Sequence, residues 1–211
     1  MRSASKRNLG DILYNFHWVV PDDAARAMQA WAGGVSGFLK ARGVRAIINL
    51  RGRNDDLSWW KNETAIAEAN GIAHLDAMLD SRKLPTREML VRLIETFDTA
   101  PRPFMLKCSG GQDRTSFAAG LYLIHRGGWQ AMGTARAQFA RFPYLHFPKA
   151  HQRWLRPFLD FAQEDAGGVP LAEWIAQRYT PERAKAWFDG HGHANSYAAI
   201  FTVPTRSPNQ W

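Results

Sequence analysis

A single cysteine, Cys108, stands among 211 residues. One thiol excludes an internal disulfide framework and suits a reducing compartment. No apolar run approaches the ~20 residues that span a bilayer, and nothing apolar follows the basic start Met1-Arg2-Ser3-Ala4-Ser5-Lys6-Arg7. Neither a secretory signal nor a transmembrane helix is expected, and the expected compartment is the cytoplasm. Metal-ligand spacing is missing too: His191-Gly192-His193 brings two histidines without a third ligand, so no metal is expected. Gly110-Gly111 lacks the Gly-Lys-Ser/Thr ending of a nucleotide loop, and no cofactor is expected. Negative charge is scarce, with 19 Asp and Glu against 27 Lys and Arg for a net charge of +8, which points to an anionic partner. The helix-turn-helix, zinc-finger and aromatic RNA-binding signatures are absent, so nucleic acid is not the expected partner. A phosphorylated protein, a phosphoinositide or inositol phosphate, and an anionic membrane surface all suit the charge; the oligomeric state leaves no trace.

What is present is material for one core. Forty-five per cent of residues are hydrophobic and nine are Trp, which argues for a folded chain of one domain. Ile12 to Val20 reads as opening strands, Pro21-Asp22-Asp23 as a turn or cap, and Asp23 to Trp31 and Gly34 to Ala41 as helices. Val44 to Leu50 is strand-like and closes at Arg51-Gly52-Arg53-Asn54-Asp55. A helix from Ser58 to Ala69 stops at Asn70-Gly71. Ile72 to Leu79 is a second strand, Thr86 to Phe97 a helix, and Pro103 to Leu106 a short buried strand. Thr115 to Arg126 is a helix with Phe117, Ala118, Leu121, Tyr122 and Ile124 on its buried face.

This alternation implies an α/β fold, a mainly parallel central sheet flanked by helices. Beyond Gly128 the pattern is helical at Gln130 to Phe142, Lys149 to Gln163, Leu171 to Tyr179 and Pro181 to Phe188, with coil from Gly190. Residues 1–165 read as the catalytic unit and 166–211 as a helical extension and tail packed on it. Ligands of such sheets bind outside the carboxyl ends of the strands, where the loops at Arg51, Asp80 and Cys108 begin.

The densest chemistry lies in Lys107-Cys108-Ser109-Gly110-Gly111-Gln112-Asp113-Arg114-Thr115. A loop between a strand end and a helix start gathers backbone N–H groups that no intrahelical carbonyl satisfies. Those donors and the positive end of the helix dipole favour a phosphate group and a thiolate at one spot. Ser109, Gly110, Gly111, Gln112 and Asp113 would cradle the phosphate, the glycines leaving room for it against the main chain. Arg114 offers a planar fork to two phosphate oxygens. The Thr115 hydroxyl can donate to the sulfur and ease its departure. A lone cysteine is more often a small buried hydrophobe. The chance of Gly, Arg and a hydroxyl residue all falling at the required offsets, however, is on the order of 1 in 2,000.

These residues resemble the cysteine-dependent protein tyrosine and dual-specificity phosphatases, whose signature is Cys, five residues, Arg, then Ser or Thr, commonly with Gly three after the Cys. Cys108, Gly111, Arg114 and Thr115 match it in order. The Asp113-Arg114-Thr115 ending looks most like the lipid-directed and atypical bacterial branches. Lys107 departs from the family's usual His. The resemblance implies a dual-specificity-phosphatase-like fold and metal-independent hydrolysis of a phosphomonoester through a phosphocysteine. A proton donor is then needed, and two aspartates compete. Asp80 stands 28 residues before Cys108, where the family carries its mobile acid loop, and Asp113 lies in the cradle itself. Arg51, Arg53, Arg82 and Lys83 are candidates for contacts to the rest of the substrate. Two rivals remain, a rhodanese-type sulfurtransferase and a catalytically silent phosphate-binding module.

Overall fold

The computed structural model describes residues 9–30 and 34–202. Helix α1 (Leu9–Leu13) leads into a hairpin of β1 (His17–Val20) and β2 (Ala24–Met28). A π-type helical turn over Val35–Leu39 precedes β3 (Ala46–Asn49), α2 (Ser58–Ala69), β4 (Ala73–Asp76) and β5 (Lys83–Leu84). Then come α3 (Arg87–Thr99), β6 (Phe104–Cys108), α4 (Asp113–Gly127), α5 (Met132–Ala137), α6 (Pro157–Ala166), α7 (Leu171–Gln177), α8 (Pro181–Gly190) and β7 (Ala199–Ile200). The main sheet runs β1-β2-β6-β3-β4 and is parallel except for β1, which pairs antiparallel with β2. The expected α/β architecture is present. β5 and β7 form a separate parallel pair.

The central strands are apolar on both faces, as a sheet covered on both sides requires. In the paired register, Ile47 and Met105 face one core with Phe16, Ala25 and Val44, while Ile48 and Leu106 face the other with Phe97, Phe117 and Leu121. The second core continues without a break into the C-terminal helices. Phe117 of α4 meets Trp154 at a centroid distance of 5.2 Å, and Trp154, Phe158, Phe161, Trp174 and Tyr179 pack ring on ring behind it.

Several sequence expectations shift. Asp23 to Met28 is not helix but strand β2 with its turn, although Ala, Arg and Met are helix formers. Burial decides: Ala24, Ala25 and Ala27 are wholly enclosed between β1 and β6, and tertiary packing overrides a propensity worth tenths of a kcal/mol per residue. Trp31 lies outside the described residues. The stretch from Ile12 is not strand at its start, because Leu9–Leu13 is helical. Gly34 to Ala41 is helical as expected, though of π type over Val35–Leu39, while Gln130 to Phe142 holds only α5 and a short 3₁₀ turn, and Lys149 to Gln163 a 3₁₀ turn followed by most of α6. The coil after Gly190 contains β7.

Candidate active site

Strand β6 is the middle strand of the sheet, and its last residue is Cys108. The chain then turns through residues 109–112 into α4, which begins at Asp113. This loop has an inverted polarity. Its carbonyls are held from behind: that of Ser109 by the N–H of Gln29 at 3.3 Å, that of Gly110 by the Asn15 amide at 3.5 Å, and that of Gly111 by the Asn15 amide at 3.3 Å and by Arg26 at 3.0 Å. Among the described residues no acceptor meets the N–H groups of Gly110, Gly111 or Gln112. With their carbonyls tied back, these amides stand at the α4 N-terminus without a protein acceptor among the described residues, an arrangement that suits an anion.

Gly111 lies against β2 so closely that a Cβ would sit 2.4 Å from the Met28 nitrogen and 2.5 Å from the Ala27 carbonyl carbon. Its φ of +64° is left-handed as well, so glycine is needed twice over. Arg26 is fully buried beneath the loop. It donates to the Gln138 carbonyl at 2.9 Å, the Gln138 side chain at 3.0 Å and the Ser116 hydroxyl at 2.8 Å, and lies 4.2 Å from the Tyr144 ring centroid. Burial lowers its guanidinium to about 10, against the pull of Tyr144 and Cys108. It remains a cation at neutral pH and clamps the back of the loop.

Cys108 is 4% exposed, and its sulfur accepts a hydrogen bond from the Thr115 hydroxyl at 3.1 Å. Arg114 is half-buried one residue before it, and no protein acceptor among the described residues engages its guanidinium. Arg51, from the loop after β3, turns into the same mouth. It donates to the Gln29 side chain and lies 3.5 Å over the Trp59 ring. Burial, then the charge of Arg114, holds Arg51 below its ordinary value, while Glu63 and Cys108 pull the other way. Two guanidinium groups therefore share one opening, a repulsion that an anion relieves.

The two aspartates differ in setting. Asp113 is the first residue of α4, with its Oδ1 3.3 Å from Nδ1 of His146, a residue 6% exposed. Asp80 follows β4 on the same sheet edge, and its Oδ1 accepts the Arg82 N–H at 2.7 Å. The segment after it is pinned. Trp154 Nε1 donates to the Ser81 carbonyl at 3.0 Å, Gln152 to the Ser81 hydroxyl at 3.1 Å, and the Ala198 N–H to the Arg82 carbonyl at 2.6 Å. β5 pairs with β7 directly beyond, so the C-terminal segment zips this loop down.

No protein-family model and no curated protein matches the chain. Solved structures match it by fold. PTPMT1 superposes with a TM-score of 0.53 at 14% identity, over 72% of this chain and 98% of that one. The core catalytic domain of the PP-IP phosphatase SIW14 from S. cerevisiae, in complex with citrate, gives 0.53 at 16% identity, over 74% and 94%. PTPMT1 in complex with PI(5)P gives 0.52 at 13% identity, over 69% and 94%. The fold is that of the cysteine-dependent phosphatases.

Within that phosphatase fold, Lys107 has a different surrounding from a solvent-facing cation. It is wholly buried, 2.5 Å from Glu63 of α2 and 4.8 Å from the Trp59 ring centroid. Glu63 also meets His74 at 2.9 Å. Burial alone would raise the Glu63 carboxyl, but the hydrogen bond from His74 and the charge of Lys107 hold it below its ordinary value; burial pushes Lys107 down against the pull of Glu63. This pair backs the Trp59–Arg51 stack at the mouth. Among the weaker candidates, Arg53 pairs with Asp55 at 3.0 Å, Arg82 is exposed, and Lys83 lies in β5 with its ammonium 5.4 Å from the Phe201 ring centroid. Among the described residues no contact joins Arg82 or Lys83 to Cys108.

Asn15, Arg26, Gln29, Trp59, Glu63 and His146 carry or shape the site and were not legible in the sequence. Arg26 sat in a stretch that read as helix, and the others have no local spacing that ties them to Cys108. Among the described residues no group of three or more His, Cys, Asp or Glu is placed to hold a metal ion. His191 and His193 instead stack on Trp187, at centroid distances of 4.1 and 6.2 Å.

Proposed function

We propose that this chain hydrolyses phosphomonoesters through a phosphocysteine on Cys108. The observation that carries the reading is the inverted loop. Its carbonyls are tied back by Asn15, Gln29 and Arg26, which leaves its amides and Arg114 for an anion next to a sulfur that already accepts a hydrogen bond from Thr115. The Cys108 sulfur attacks phosphorus, an S–P bond forms, and the P–O bond breaks as a carboxylic acid gives its proton to the leaving oxygen. Water then attacks phosphorus, the carboxylate takes a water proton, and the S–P bond breaks with Thr115 donating to the departing sulfur. Arg114 and the loop amides face the charge on the flattened phosphoryl group, so the rate gain is electrostatic and positional. No step uses a metal or cofactor.

The donor in this reading is Asp113. Its carboxylate is carried by the cradle itself, beside the imidazole of His146. Asp80 caps its own turn, in a segment pinned by Trp154, Gln152 and β7, and so lacks the freedom of a mobile acid loop. Asp113→Asn is expected to slow turnover of an alkyl phosphate by about 10²–10⁴-fold and of a nitrophenyl phosphate far less, since that leaving group needs little protonation. Asp80→Asn should change both by less than about tenfold. The reverse pattern assigns the proton to Asp80. If acid-quenched parent protein turning over labelled substrate carries no label on Cys108, the covalent route itself fails.

The substrate in this reading carries more than one negative group, because Arg51 stands beside Arg114 at the mouth. A phosphoinositide or inositol phosphate fits that charge, and two of the fold's neighbours are a PI(5)P complex and a PP-IP phosphatase. Arg51→Ala is expected to raise KM for a bisphosphorylated inositol compound roughly tenfold or more, in line with the loss of one charge-assisted contact. KM for a nitrophenyl phosphate should move much less. Equal shifts for the two would remove Arg51 from substrate selection.

A further inference from the structure

Large apolar side chains stand exposed in two segments beside the catalytic loop. Phe142, Leu145 and Phe147 are 75%, 37% and 54% exposed; Leu9, Ile12 and Leu13 of α1 are 72%, 65% and 52% exposed. The spacing of the second set, i, i+3 and i+4, puts its members on one helical face. Asn15 staples both segments to the site: its amide donates to the Gly110 and Gly111 carbonyls of the loop and, at 3.2 Å, to the Tyr144 carbonyl. Tyr144 is further held by the His17 ring at a centroid distance of 5.0 Å and by Arg26. Leu145 holds a φ of +58°, a conformation uncommon outside glycine, and keeps its side chain in solvent.

The charge around the Phe142–Phe147 segment is mainly positive, and Asp11, the acid of α1, is paired with Arg42. From residue 114 to residue 159 the chain has no Asp or Glu and seven Lys or Arg. Arg141, Lys149, Arg153 and Arg156 are exposed, and three of them border a cleft of about 520 Å³ that also reaches His146 beside Asp113 and holds one acid, Asp160, which is paired with Arg136. Arg141 lies 6.0 Å from the Phe147 ring centroid, and Phe147 meets Phe142 edge to face at 6.2 Å. Aromatic and aliphatic side chains interleaved with cations are the composition of a surface that rests in a lipid interface. A second copy of the chain would set like charges face to face. Among the described residues no helix is long and apolar enough to cross a membrane, so contact would be peripheral.

We infer that α1 and the Phe142–Phe147 segment form a rim that docks the catalytic loop on an anionic lipid bilayer, its substrate being a phosphorylated lipid headgroup in that bilayer. Phe142 and Phe147 enter the interfacial layer, the flanking cations meet lipid phosphates, and the mouth at Cys108 faces the headgroups. The substrate half of this inference rests on the phosphatase reading; the docking half does not.

The test separates them. Full-length Cys108→Ser protein, with and without Phe142→Ser and Phe147→Ser together, is floated with vesicles of phosphatidylcholine alone or with a minority of phosphatidylserine. The protein should float with the anionic vesicles only, bind less as salt rises, and lose binding roughly tenfold or more with the paired substitution. With Cys108 present, the paired substitution should leave nitrophenyl phosphate turnover unchanged and lower hydrolysis of a phosphoinositide in vesicles. Equal flotation of the two proteins, or a paired substitution that alters only the oligomeric state in solution, overturns the docking. Docking without turnover of any phosphomonoester overturns the phosphatase reading alone.

Discussion

Cys108→Ser is expected to abolish phosphomonoester turnover, by on the order of 10⁴-fold or more, while leaving the protein folded and able to bind phosphate. Serine is close to isosteric with cysteine, the position is 4% exposed, and the Thr115 hydroxyl finds an oxygen where it now meets sulfur at 3.1 Å. The hydroxyl is a poor nucleophile without an adjacent base, and neither Thr115 nor Arg114 can act as one. The cradle survives the exchange, since the loop amides are organised by Asn15, Gln29 and Arg26 and owe nothing to the sulfur. Calorimetric titration of the variant with inorganic phosphate, beside turnover of a nitrophenyl phosphate, reads both halves. Residual turnover within about a hundredfold of the parent would remove Cys108 from the chemistry. Loss of phosphate binding would instead show that the sulfur shapes the cradle.

Gly111→Ala should be nearly as damaging by a different route. The added methyl would lie 2.4, 2.5 and 2.8 Å from the Met28 nitrogen and the Ala27 carbonyl carbon and oxygen. Those are backbone atoms of a strand enclosed between β1 and β6, which cannot yield as a flexible side chain would. Left-handed backbone costs alanine roughly 1–2 kcal/mol and overpacking roughly 1–3 kcal/mol, so about 3 kcal/mol is a fair total. For a chain of this size that is a fall in Tm of roughly 6–12 °C, with turnover lost because the amides are displaced. Gly110→Ala is the control: its Cβ would approach nothing nearer than the Gln112 side chain at 3.5 Å. Thermal melts of the pair, with turnover measured on whatever remains folded, decide the matter. A Gly111→Ala protein that melts and turns over like the parent would refute the close approach to β2.

The relation between the two glycines shows how far the sequence reached. Both belong to a legible motif, yet only the approach of β2 separates the one that is needed from the one that is tolerated. β2 itself was misread, because three alanines, an arginine and a methionine carry helix propensity, and nothing local reveals that they will be enclosed as a central strand. The misreading hid Arg26, whose place under the loop exists only once β2 pairs with β6. Asp80 was legible as a residue on the correct sheet edge, but its pinning by Trp154, Gln152 and β7 comes from segments 70 and more residues away.

Taken alone, the sequence determined the nucleophile candidate, its arginine, the hydroxyl beside the sulfur and the strand-loop-helix frame that presents them. Those groups lie within nine consecutive residues, and the geometry of a strand end entering a helix N-terminus is set by short-range sterics and hydrogen bonding. The tertiary structure alone decided which way the loop's carbonyls face, which cations share its mouth, which imidazole meets Asp113 and what surrounds the opening. Each of these depends on residues such as Asn15, Arg26, Arg51 and His146, dozens of positions from Cys108, which become neighbours only when burial of the sheet's two faces brings their strands and loops together.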